Sequence, residues 1–213
     1  MKIQIVFFTS VLLSTIMDAQ ELPTLYRNMY KTADSLKVCG KMTYMDTNAL
    51  FRRIRLVRRE DYTGLVNVAA DYIAHLKYNE AAFTFNLMLR RYQYYNNIHP
   101  GDLSEGGANI MPDLIYDISQ LVTLYLRADI DNFIVSTKLM LAYLESNDCR
   151  RCHTTKCKAA YDSVIKPCYE VVADLELKKV QYGEQWAEER KSIQSAIEKA
   201  IEVDSSKNIN SEH

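Results

Sequence analysis

Apolar residues recur three and four positions apart along nearly the whole chain, while residues that turn or break a chain are scarce. Only 6 Gly and 4 Pro occur in 213 residues. A strand-rich fold needs a turn about every ten residues and consumes more of both. The pattern therefore predicts an all-α protein, a bundle or stack of helical hairpins with roughly seven to eight helices.

The individual helices can be placed from their stripes and stops. Pro23 opens a first helix carrying Leu25, Tyr26, Met29, Tyr30, Ala33 and Leu36, and Gly40 is its natural stop. Asp46 or Thr47 caps a second, basic helix that buries Leu50, Phe51, Ile54 and Val57. A third uses Leu65, Val68, Ala69, Tyr72, Ile73 and Leu76, and a fourth Ala81, Phe85, Met88, Leu89 and Tyr92. Residues 96–108, with Pro100, Gly101, Gly106 and Gly107, read as a long loop. Pro112 starts a fifth helix through Tyr125, and a sixth runs from about Asp131 to Leu144. Pro167 is expected to interrupt the next helical stretch, with a long amphipathic helix from near Tyr169 closing the fold.

The N-terminus is read differently. A basic start at Lys2, an apolar run from Ile3 to Met17 and a polar Asp18-Ala19-Gln20 have the layout of a secretory signal. The run is shorter than the about 20 apolar residues a membrane span requires. The expected organisation is thus a signal peptide at 1–19, one helical domain at 20–204 and a flexible tail at 205–213. It places the protein outside the cell or in a periplasm, with no membrane anchor.

Leu65, Val68, Ala69 and Tyr72, then Ala81 and Phe85, with Tyr78 at the turn between, resemble one unit of a tetratricopeptide repeat over residues 65–92. The family's closing proline is absent, since Gln93 stands there. The resemblance implies a helical hairpin whose small residues permit close approach, on a scaffold that binds protein partners along a helix face or groove.

Five cysteines occur: Cys39, then Cys149, Cys152, Cys157 and Cys168. Export favours disulfides, and short loops favour pairing inside the cluster, so two bridges among the last four are expected near residues 149–168. Cys39 is then left over, either free and buried or paired with a cluster member. Cys149-x-x-Cys152-His153 has the spacing of a c-type haem attachment site, in which two thiols bond the haem and the histidine ligates iron. Cys149, Cys152 and His153 with Cys157 or Cys168 also have ligand types suited to zinc. Disulfides, which require no cofactor, are the primary reading.

No catalytic constellation is visible: His75, His99, His153 and His213 are scattered, and no nucleophile elbow, phosphate-cradling loop or zincin motif occurs. Formal net charge is −1, so no overall field draws nucleic acid. Charge is uneven, however, with Arg52, Arg53, Arg55, Arg58 and Arg59 crowded together. These arginines, if not simply solvated, suit an acidic partner surface or an anionic glycan. Tyr92, Tyr94 and Tyr95 form an aromatic group that either contacts a partner or packs internally. The functional expectation is an exported, non-enzymatic helical protein that binds a protein partner. A secreted signalling bundle and a c-type haem protein are the alternatives.

Overall fold

The structure, a computed structural model, describes residues 21–100 and 112–210. The expected signal peptide, the glycines of the 96–108 loop and the last three residues lie outside that set. Among the described residues there are eight α-helices and no strand: α1 Glu21–Val38, α2 Thr47–Leu56, α3 Tyr62–Ala74, α4 Tyr78–Ile98, α5 Pro112–Arg127, α6 Ile130–Tyr143, α7 Thr155–Leu177 and α8 Lys179–Asn210. A π-turn, Leu144–Asp148, and a 3-10 turn, Cys149–Arg151, join α6 to α7.

Helix ends follow local chemistry. Gly40 sits at φ +64°, and the Lys41 N–H reaches back to the Leu36 carbonyl at 2.8 Å, closing α1 as its glycine predicts. Asp46, Asp61 and Asp129 cap α2, α3 and α6 by accepting from the N–H groups of Ala49, Gly64 and Asn132. Leu76 departs from the expected stripe. It lies beyond α3, half exposed, at φ +57°, and the Lys77 N–H bonds back to the Tyr72 carbonyl. The α3 stop thus has the geometry of a glycine cap made by a leucine.

Helix α4 is the centre of the molecule. It pairs with α3 as a hairpin, the most extensive helix contact, and also packs on α5, α6 and α7. Ala81, Ala82, Phe83, Phe85, Leu87 and Met88 are all buried, so α4 has apolar residues nearly all round, beyond the single stripe legible in the sequence. Ala69 and Ala81, the small residues of the hairpin, are both fully buried.

One polar side chain ties four elements together. Asn79 donates to the carbonyls of Met42 and Tyr44, at 2.9 and 2.8 Å, holding the α1–α2 connection to α4. Its Oδ1 accepts from the Tyr125 hydroxyl on α5 and from Asn132 on α6. Every hydrogen-bonding position of this buried amide is thereby used, which fixes register where apolar packing alone would permit sliding.

The C-terminal break lies elsewhere than the sequence suggests. Pro167 is inside a continuous α7, and the chain turns at Lys178 instead. Val164, Ile165, Cys168 and Val172 are buried on both sides of the proline, so packing holds the helix together across the one missing hydrogen bond. Helix α8 then returns along α1 through the Arg27–Glu198 and Arg190–Asp34 ion pairs, with Arg190 over the Tyr30 ring.

Candidate functional site

The arginine-rich segment is the part of the sequence that folding concentrates furthest. Arg53 leaves the group: it pairs with Asp71 at 2.6 Å and lies over the Tyr72 ring. Arg52 is exposed. Arg55, Arg58 and Arg59, by contrast, line a cleft of about 390 Å³ between the α2–α3 connection, α4 and the turns after α6, together with Arg91 and Arg151.

Asp148 anchors this cleft. It is 2% exposed and sits at the end of the π-turn. Arg91 Nε donates to its Oδ2 at 2.8 Å and Arg91 Nη2 to its Oδ1 at 3.2 Å, while Arg59 Nη2 donates to Oδ1 at 2.6 Å. Arg59 also donates to the Asn147 carbonyl. Burial of one carboxylate between two guanidiniums gives charge-assisted, fork-like bonding in a poorly solvated place.

The carboxylate does not use up the arginines. Arg91 is only 6% exposed, and its Nη1 is buried without a hydrogen-bond partner. Among the described residues no carboxylate pairs with Arg55, Arg58 or Arg151. Five arginines against Glu60 and Asp148 leave the cleft three positive charges in excess. Such a site offers hydrogen bonds and charge to an oxyanion or carboxylate.

Arg91 and Asp148 were absent from the sequence expectation. A signal existed for the first: Arg91 follows Thr84, Leu87 and Met88 at helical spacing on a buried face, where an arginine requires a partner. Nothing local in the sequence names Asp148 as that partner.

The cysteine cluster pairs differently from the sequence expectation. One disulfide joins Cys152 to Cys157, with Cα atoms 5.6 Å apart, and Cys39, Cys149 and Cys168 are free thiols. Two bridges among the four were expected. Cys168, however, is held within α7, its thiol donating to the Val164 carbonyl, and Cys149 belongs to the turn before it. Cys39 is exposed rather than buried. The bridge spans the turn entering α7 and does not staple α6 to the last helices.

Cys152 is thus bonded to Cys157, which removes the second thiol that haem attachment through Cys149, Cys152 and His153 needs. Nor do three His, Cys, Asp or Glu side chains converge on a common metal position among the described residues, so the zinc grouping of these cysteines with His153 is not assembled. Cys149 lines an open cleft of about 640 Å³ with Tyr161, Ile165 and Tyr169. Burial, helped by Asp148, Glu145 and Asp162, pushes its thiol up to about 11, so it is protonated and weakly nucleophilic at neutral pH. That cleft carries Glu145, Asp162 and Glu170 against Lys158 and Lys166, with no strong excess of one sign.

The tyrosine group is divided between internal contacts. Tyr92 and Tyr95 meet the edge of Tyr62, at ring separations of 5.5 and 6.3 Å. Tyr94 stacks on Tyr161 at 3.8 Å, and its hydroxyl lies 2.9 Å from Cys157 Sγ, covering the disulfide. These rings join α4 to α3 and α7 and are half-buried. The basic cleft is the arrangement left with capacity for an external group. No described helix is long and apolar enough to cross a membrane. No family model, curated protein or solved structure matches the chain.

Proposed function

We propose that this chain is an exported helical binding protein that holds an acidic segment of a protein partner in the cleft formed by Arg55, Arg58, Arg59, Arg91 and Arg151. The observation that carries the reading is the charge count of that cleft, five arginines facing two carboxylates. Charge complementarity of this kind raises association rate and selects partners by sign. The α3–α4 hairpin, read as a tetratricopeptide-like unit, supplies the rigid scaffold on which Arg91 is presented. Catalysis forms no part of the proposal.

The test uses the full mature chain and a fluorescein-labelled hexaglutamate peptide, followed by anisotropy. Binding is expected to weaken by about tenfold or more between 50 and 300 mM salt, because salt screens exposed charge. Arg55→Ser with Arg58→Ser should weaken it by about tenfold or more, equivalent to about 1.4 kcal/mol, while Arg52→Ser leaves it unchanged. Equal affinity of the double variant and the parent would overturn the proposal, as would equal retention of a hexalysine peptide.

A further inference from the structure

Three cysteines meet at the turn that enters α7. Cys149 begins the 3-10 turn and Cys152 caps it, the Cys152 N–H donating to the Cys149 carbonyl at 2.9 Å. Residues three apart in such a turn eclipse one another, their Cα atoms roughly 6 Å apart at a rise of about 2.0 Å per residue. That separation falls within the about 4.4–6.8 Å that a disulfide spans. Cys149 and Cys152 also line the same open cleft of about 640 Å³. Cys152, whose Cα stands 5.6 Å from that of Cys157, therefore has two cysteines within bridging reach.

The surroundings of Cys157 suit it to leave. It lies in the first turn of α7, where Thr154 Oγ1 accepts from the Cys157 N–H at 3.2 Å. The N-terminus of this 23-residue helix presents positive potential there. Lys156 and Lys158 flank it in sequence, and the Tyr94 hydroxyl lies 2.9 Å from its Sγ. A helix N-terminus and neighbouring lysines stabilise a thiolate, and a stabilised thiolate departs faster in exchange. Cys149 has the opposite setting, buried beside Asp148 and Glu145, so it rests protonated and attacks slowly.

We infer that the three cysteines form an internal thiol–disulfide switch in which Cys152 is the shared partner. The Cys149 thiolate attacks Cys152 Sγ, a Cys149–Cys152 bond forms, the Cys152–Cys157 bond breaks, and Cys157 departs with the electron pair. The proton lost from Cys149 is regained at Cys157, so the exchange consumes no oxidant or reductant. One bridge ties the turn to α7; the other ties the turn to itself and leaves a free thiol on the first turn of α7. The inference stands apart from the acidic-partner reading, because none of the three cysteines lines the arginine cleft.

Trypsin cuts after Arg150, Arg151, Lys156 and Lys158, which puts the three cysteines on three different peptides. The full mature chain is held folded at about pH 9, where more of Cys149 is thiolate. It is then quenched in acid, unfolded, alkylated with N-ethylmaleimide, reduced, and labelled with iodoacetamide for peptide mapping by mass spectrometry. N-ethylmaleimide on Cys157 should exceed that in Cys149→Ser by about tenfold or more, with a matching loss of label on Cys149. Cys157→Ser, treated with oxidised glutathione, should close a Cys149–Cys152 bridge while its helical circular dichroism is retained. The inference is overturned if Cys157 stays unlabelled in the parent, if Cys149→Ser labels it equally, or if folded Cys157→Ser leaves Cys149 and Cys152 unbridged.

Discussion

Replacement of Asp148 by asparagine keeps the shape of the side chain and removes the one charge that two arginines share. Asp148 is 2% exposed and Arg91 6%, so the pair is desolvated, whereas the Arg59 side chain is 30% exposed and regains water when freed. Breaking a buried pair by removing one member costs about 3–5 kcal/mol, because the other charge stays buried. That is from about a fifth to the whole of a typical total stability of about 5–15 kcal/mol. For a chain of this length each kcal/mol moves the melting temperature by about 2–4 °C, which puts the Asp148→Asn loss at roughly 6–20 °C. Urea denaturation under non-reducing conditions measures it, with parent, Asp148→Asn, Arg91→Met and the double variant forming a cycle. Arg91→Met should also be costly, and the double variant should recover part of the loss, because no buried charge is then left unpaired. A cost below about 1 kcal/mol for Asp148→Asn, or additive losses in the cycle, would refute the assignment of the Asp148–Arg91 pair as a coupled buried unit.

Three further outcomes are expected. Alkylation of unfolded but unreduced protein should add three adducts, at Cys39, Cys149 and Cys168, and reduction should raise the number to five by mass spectrometry. In the folded protein at pH 8, Cys149 should carry about a hundredfold less thiolate than an unperturbed thiol, since its pKa stands at about 11 against 9.0. Its raised folded value means that the associated stability is fully present below pH 9 and is lost as pH rises toward 11, which alkaline denaturation reads alongside the alkylation rate. Leu76→Gly should stabilise the fold by up to about 1 kcal/mol in thermal melts, because leucine at φ +57° bears a left-handed strain that glycine lacks. A loss of stability would instead show that the half-exposed Leu76 side chain contributes more through packing than it costs in conformation.

The sequence by itself determined what depends on short-range spacing. Period 3.6 gave the helices and most of their buried faces: Leu50 and Ile54 on α2, Leu65 and Ala69 on α3, Leu121 and Tyr125 on α5 are all buried as their spacing predicts. Asp46 and Gly40 act within one helical turn, so their capping roles were legible too. Tertiary structure decided what depends on the approach of distant segments. Pro167 looked like a break because propensity opposes it, yet burial on both sides of α7 overrides that preference, and Lys178 ends the helix. Four clustered cysteines fix no pairing; the turn into α7 brings Cys152 to Cys157, and helix geometry keeps Cys168 apart. The arginine segment was visible as a charge run, but its division was not: Arg53 is neutralised from α3, while Arg59 meets Arg91 and Asp148, residues 32 and 89 positions further along. Electrostatic pairing acts through space over a few ångströms, and only the packed chain sets which charges come that close.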